Sequence, residues 1–182
     1  MEAALAHHDA QHAATLRDEL IDVHLDARAD LLDNPFYSGQ RFGERLDNYL
    51  LSPGFHLVTV RIGAELIGYA FGGTLPATTL WWRGAEVADP DVTRETGNRT
   101  FAFREILVRR AHQRRGYAHR LHDELLGARS EERATLLVRD DNPARELYLR
   151  WGWHLVGHLQ PFPDSPRFEA MVIPLPLVPP LA

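Results

Sequence analysis

The residue types best suited to chemistry crowd one short stretch. Six arginines (Arg104, Arg109, Arg110, Arg114, Arg115 and Arg120) fall within seventeen residues of a 182-residue chain whose formal net charge is -5. They surround Gln113, Gly116, Tyr117, Ala118 and His119, a turn with small residues between a strand-like run and a helix-like run. Backbone amides in such a turn can approach an anion closely, and the start of a helix adds partial positive charge. The logic is that of a diphosphate cradle; the competing reading is a solvated arginine-rich turn. One acid, Glu105, stands in the strand-like run beside it.

What is missing narrows the chemistry further. All 20 basic residues are arginine and the cysteine count is 0. A lysine Schiff base, a P-loop lysine, a cysteine nucleophile, a disulfide framework and cysteine-ligated zinc are therefore excluded. No Gly-x-Ser-x-Gly elbow points to a serine hydrolase. His119 and His122 lie one helical turn apart beside Asp123, and His7, His8 and His12 cluster near the start. Without a third ligand at fixed spacing, no metal is expected. His119 reads instead as a first-turn residue near phosphate, and the early trio as a mobile segment.

These residues need elements to hold them. Leu16, Leu20, Val23, Ala27 and Leu31 recur at three-and-four spacing, predicting one amphipathic helix over 11–32, and Phe42, Leu46, Tyr49 and Leu50 predict a second before Ser52-Pro53-Gly54. Two β-rich runs flanking Gly63-Ala64 read as a hairpin over 55–75. Residues 76–99, with Pro76, Gly84, Pro90 and Gly97, read as a long loop, a candidate substrate lid. TFAFREILV and ATLLV read as strands, Leu121, Leu125 and Leu126 mark a helix between them, and NPARELYLRW opens another helix with proline in its first turn. WHLVGHLQ and a run over 167–175 complete the strands. No linker divides the chain, so a single domain is expected.

Twenty-five acidic residues against 20 arginines argue against a nucleic-acid partner. The first residues lack a signal-peptide pattern and no apolar run approaches membrane-spanning length, so no membrane association and a cytoplasmic location are expected.

Two stretches in order, ILVRRAHQRRGYAHRLHDELL and DNPARELYLRWGW, resemble the GNAT superfamily of CoA-dependent N-acyltransferases. Val108, Gln113, Gly116 and Ala118 match the family's strand, Gln/Arg-x-x-Gly-x-Gly/Ala turn and helix. Ala144, Leu147, Tyr148, Gly152 and Trp153 match its downstream segment, with Trp153 where phenylalanine is usual and the family's asparagine falling on Asp141 or on Asn142. The resemblance covers 101–159 well, and earlier residues only through the order of two helices and a hairpin. The strand usual before the first helix is not evident.

The resemblance implies a single α/β (α+β) domain: helices flanking a mixed, mostly antiparallel sheet whose two central parallel strands splay apart. It implies acetyl-CoA as acyl donor, its pantetheine arm along Ile106, Leu107 and Val108, its diphosphate on amides from Arg114 to His119 with Gln113 and the arginines around it, and Asp141 or Asn142 also in contact. Glu105 becomes a candidate base for an attacking ammonium, or else the partner of Arg104, Arg99 or another arginine. Tyr148 becomes a candidate proton donor to the departing thiolate, or else a core tyrosine. Phe36, Tyr37, Arg41, Phe42, Trp81, Trp82, Phe162 and Asp164 are candidates for the acceptor side. A small amine is expected ahead of a peptide or protein amine, and a homodimer is allowed. The rival is a catalytically silent acyl-CoA-binding sensor or scaffold of the same fold.

Overall fold

A computed structural model describes residues 2–160 and 163–177. The chain comprises two compact units, one of residues 1–73 and 104–128, the other of 74–103 and 129–182.

In the first unit, β1 (Ala3–His8), β2 (His56–Ile62) and β3 (Glu65–Thr74) form an antiparallel ladder, with the last residues of β5 (Thr100–Val108) next to β3. The hairpin turns at Gly63, whose φ of 60° suits glycine. Helices α1 (Ala10–Thr15), α2 (Arg17–Ala27) and α3 (Gly39–Tyr49) lead into this ladder, and α4 (Tyr117–Gly127) follows β5. Leu20 and Val23 of α2 and Phe42 and Leu46 of α3 bury against Leu57, Leu66, Tyr69, Phe71 and Leu107. Burying an aliphatic or phenylalanine side chain of this size contributes about 1.5–3 kcal/mol, so the apolar periodicity is what joins helices to strands here.

In the second unit the strand order is β5, β6 (Arg133–Val138), β8 (Phe168–Pro174), β7 (His154–Leu159), β4 (Glu86–Val87), with α5 (Ala144–Arg150) between β6 and β7 in sequence. The β5–β6 pair is parallel and covers only Thr100–Ala102 against Arg133–Thr135; β6–β8, β8–β7 and β7–β4 are antiparallel. The expected mostly antiparallel sheet flanked by helices is therefore present, and its central parallel pairing stops after three residues.

Four local expectations need correction. The stretch holding His7 and His8 is not a mobile segment but β1, the strand that seemed to be missing. Its alanines and histidines show no apolar alternation, so its register with β2, from Ala3 opposite Ile62 to His8 opposite Leu57, identifies it where composition does not. His7 lies between His56 and Glu124 at 2.9 and 2.8 Å, and His8 bonds the Thr59 hydroxyl at 2.8 Å. The first helix, expected over 11–32, is broken at Leu16, whose N–H turns back to Ala13 at 3.1 Å, and it ends at Ala27; a 3₁₀ turn follows over Ala29–Leu31.

The segment 76–99 is not unstructured. It contains β4 and a 3₁₀ turn over Pro90–Thr93, and Trp82 packs with Leu159, Ala170 and Val172. The buried carboxylate of Glu95 accepts from Trp82, Thr100 and Arg133, which pins this segment to β5 and β6. Residues beyond Leu177 lie outside those described.

Candidate active site

The arginine-rich turn forms as its small residues require. A 3₁₀ turn over Arg110–His112 leaves the end of β5, Arg114 takes a φ of 59° and Gly116 a φ of 82°, and α4 begins at Tyr117. Gly116 caps α4 without a side chain, no side-chain acceptor occupies the cap, and the first turn holds no acid. The first N–H groups of a helix have no intrahelical acceptor; here the helical ladder starts with Arg120 donating to Gly116 at 3.1 Å. Tyr117 and Ala118 therefore present amides at the positive end of an eleven-residue helix. A Cβ placed on Gly116 would meet nothing within 4 Å, so the backbone at the helix start is open on that side. Arg114, Arg115, His119 and Arg120 are exposed around it. This is a fitting seat for a phosphate-bearing group.

The turn is anchored from behind. Arg109 donates its backbone N–H to Ile67 and its side chain to Leu66 and to Asp22, and Asp26 accepts the N–H of Arg110 at 2.7 Å. Gln113 does not stand free beside the arginines: its side-chain amide donates to the carbonyl of Val108 at 3.0 Å, tying turn to strand. Close behind that strand is Gly68, where a Cβ would come within 2.8 Å of the Leu107 carbonyl; only glycine allows β3 this near.

Glu105 and Leu107 share a strand face, and Leu107 belongs to the core under α2 and α3. Glu105 has an arginine partner, but neither Arg104 nor Arg99. Arg28, the residue that caps the end of α2, donates to its Oε1 at 3.0 Å, and the two side chains are 22% and 16% exposed. The Arg104 guanidinium lies 4.6 Å from the ring of Tyr49 on α3, and burial lowers its pKa. Alternation predicts opposite directions for residues 104 and 105, yet one side chain ends on α3 and the other on the residue that caps α2.

Two further groups near Glu105 escaped the sequence reading. His24 is buried, stacked 4.1 Å from the ring of Phe42, and its Nε2 donates to the Tyr37 carbonyl at 2.8 Å. Burial lowers its pKa, against an opposing pull from Glu105, so it is neutral with its lone pair on Nδ1. Tyr69 is fully buried on β3, and burial first, then the Glu105 charge, raises its pKa well above the ordinary value. His24 Nδ1 and the Tyr69 hydroxyl are buried without a hydrogen-bond partner among the described residues. Such groups each cost about 1–3 kcal/mol when left unsatisfied. Apolar periodicity alone would have placed Tyr69 and His24 in the core, which is where they are; only their unmatched polar atoms mark them out.

In the second unit, Asp141 receives both arms of the Arg139 guanidinium, and the Asn142 side-chain oxygen accepts from the Ala144 N–H at 2.9 Å, two residues on. Tyr148 is buried on α5, its ring edge-on to Trp151 and Trp153, and Trp153 in turn packs on Phe103. The predicted site residues are thus distributed: Glu105, Ile106–Val108 and Gln113–His119 in the first unit, Asp141, Asn142 and Tyr148 in the second.

Of the acceptor-side candidates, Phe36, Tyr37 and Phe42 are buried in the first unit, Arg41 pairs with Glu44 at 3.5 Å, Trp82 is core to the second, and Asp164 is exposed. Phe162 lies outside the described residues. His119, His122 and Asp123 bring ligand-type atoms within 4.8 Å of one another, with His122 buried and bonded to Asp123 at 2.7 Å.

A turn with uncapped helix-start amides among arginines, set between a strand and a helix in a mixed α/β fold with a mostly antiparallel sheet, is an arrangement that could hold a phosphate-bearing group. The family model described as Acetyltransferase (GNAT) family matches residues 20–153, and the chain belongs to that family, whose chemistry is acyl transfer. The solved structures it resembles share the fold at low identity. One, from Pyrococcus horikoshii OT3, is 17% identical with a TM-score of 0.68, over 97% of this chain and 100% of the other. An aminoglycoside 6'-N-acetyltransferase complexed with coenzyme A is 16% identical with a TM-score of 0.65, over 98% and 99%. A PaiA N-acetyltransferase from Thermoplasma acidophilum in complex with coenzyme A is 10% identical with a TM-score of 0.56, over 96% and 99%. A sequence search of curated proteins finds no match. Among the described residues, no helix is long and apolar enough to cross a membrane.

Proposed function

We propose that this chain is an acetyl-CoA-dependent N-acetyltransferase that acylates a primary amine by direct attack, with a small-molecule acceptor preferred over a protein. The observation that carries the reading is the open, uncapped start of α4 ringed by arginines in a chain of the GNAT family. The coenzyme A held by two structural neighbours supports the same donor here.

Amides at the start of α4, with Arg114 and Arg115, bind the diphosphate, and the backbone of Ile106–Val108 orients the pantetheine arm. Asp141 or Asn142 makes a further contact with the donor. Glu105 takes a proton from the acceptor ammonium. The freed amine nitrogen attacks the thioester carbonyl; a C–N bond forms, the C–S bond breaks, and the sulfur leaves with the electron pair. Tyr148, by its place in the family segment, gives its proton to that thiolate and is reprotonated by the second proton that the nitrogen sheds as the amide forms. Much of the rate comes from holding donor and acceptor together.

Thiol release from acetyl-CoA across a panel of amines tests this reading. Acceptor-dependent release, with the acetylated amine found by mass spectrometry, is expected. Coenzyme binding without release on any amine would support a sensor or scaffold instead.

A further inference from the structure

We propose that His119, His122 and Asp123, on one turn of α4, form a binding site for a late first-row divalent metal ion such as zinc. The site does not rest on the function proposed above, and it keeps coordination positions open for water or for an outside oxygen or nitrogen ligand.

Spacing alone leaves His119 and His122 short of a third ligand; the folded helix supplies it. Residues three and four apart on a helix are neighbours on its surface, and the Asp123 carboxylate meets both rings, one through each oxygen. Its Oδ2 lies 3.3 Å from His119 Nε2 and its Oδ1 2.7 Å from His122 Nδ1. Zinc bonds of about 2.0–2.1 Å set tetrahedral neighbours about 3.3 Å apart, so the first contact already has the length of a coordination edge. The second needs to open by roughly half an ångström, which rotation of the half-exposed Asp123 side chain provides. The two imidazole rings, with centroids 6.1 Å apart and planes tilted by 31°, are near enough to share one ion.

The helix also preorganises the set. His122 is buried, which holds one ring in place, while the His119 and Asp123 side chains are exposed and leave the entry path open. Binding draws on the His122 Nδ1 lone pair and so places the ring proton on Nε2, the other neutral tautomer. The ion then stands where a proton bridges ring and carboxylate.

Donor type sets the class of ion. Imidazole nitrogen suits zinc, copper and nickel. Calcium and magnesium want oxygen ligands, of which this group has one carboxylate, and the exposed arginines around the start of α4 oppose an ion held by charge alone. Among the described residues, no other three His, Asp or Glu bring one ligand atom each within 4.8 Å of one another. His7 does not make such a site, because its two ring nitrogens turn to different partners, His56 and Glu124.

Calorimetric titration of the full chain with zinc, and visible absorption with cobalt as a spectroscopic stand-in, test the site. One equivalent of zinc is expected to bind at micromolar metal, cobalt to give the bands of imidazole and carboxylate coordination, and millimolar magnesium or calcium to displace neither. His119→Gln and Asp123→Asn, both at exposed positions, should each erase the cobalt bands and weaken zinc by at least about tenfold, a loss seen even when an outer-shell partner of a metal ligand is removed. His12→Gln, which removes an exposed histidine of α1, should leave both readouts as in the wild type. Zinc binding that survives both substitutions in the α4 turn, binding lost equally in His12→Gln, or no binding at micromolar zinc overturns the proposal.

Discussion

Glu105 and Tyr148 can be tested separately by losses of different form. Glu105→Gln removes the proposed base and keeps the side chain's size. A typical alkylammonium has a pKa near 10.4, about that of lysine. The loss in kcat/KM should therefore be greatest at low pH and shrink as alkali deprotonates the acceptor unaided; a constant loss carried by KM would mean that Glu105 only positions the amine. Tyr148→Phe keeps the ring between Trp151 and Trp153 and removes the hydroxyl. Steady-state kinetics should show kcat lower by about 10²–10⁴ with coenzyme binding retained, and wild-type turnover would return Tyr148 to a packing role. The types of these residues were legible in the sequence, but their partners were not. Arg28 stands 77 positions before Glu105, and nothing in local spacing selects one of twenty arginines as the mate of one carboxylate.

Among elements, the turn into α4 carries the most direct prediction. Acetyl-CoA should raise the melting temperature, because a ligand that binds only the folded state adds about 2.7 kcal/mol at a hundredfold excess over Kd. Gly116→Glu should abolish that shift: it sets a charged side chain at a φ of 82° on the open side of the helix start. An undiminished shift in that variant would move the anion site elsewhere. This turn was readable because glycine, helix start and arginines all sit within a dozen residues. The first strand was not, because β1 depends on pairing with β2 some fifty residues later and has alanine and histidine where branched residues would announce a strand. The break at Leu16 was hidden for the opposite reason: apolar spacing continues across it, so periodicity sees one helix where the backbone makes two.

For the whole molecule, the ten histidines make acid the informative perturbation. Burial lowers the pKa of His24, of His122 despite Asp123, and of His8 with help from the neighbouring His12. A histidine whose pKa is lower in the folded state binds more protons when unfolded, so stability rises with pH between the folded value and the ordinary value near 6.5. Acidification below about pH 6.5 should lower the urea midpoint, with a slope of roughly 1.4 kcal/mol per pH unit for each proton taken up. His24→Gln keeps a donor for the Tyr37 carbonyl and should flatten that slope; an unchanged slope would assign the effect to other groups.

The division of the chain into two units also has a meaning for its synthesis. Each unit is assembled from two separated stretches, 1–73 with 104–128 and 74–103 with 129–182. A ribosome releases residues from the N-terminus at about 5–20 per second. By the time residue 73 has emerged, β1, β2 and β3 are available, but Glu105, Leu107 and α4 are not, and the core of the first unit lacks its β5 contribution. That unit can close only once residue 128 is out. The second waits longer still, since β6 has its antiparallel partner only when β8 appears at residues 168–174. Neither half is a contiguous fragment, so cutting the gene at any one point cannot deliver one unit intact without part of the other.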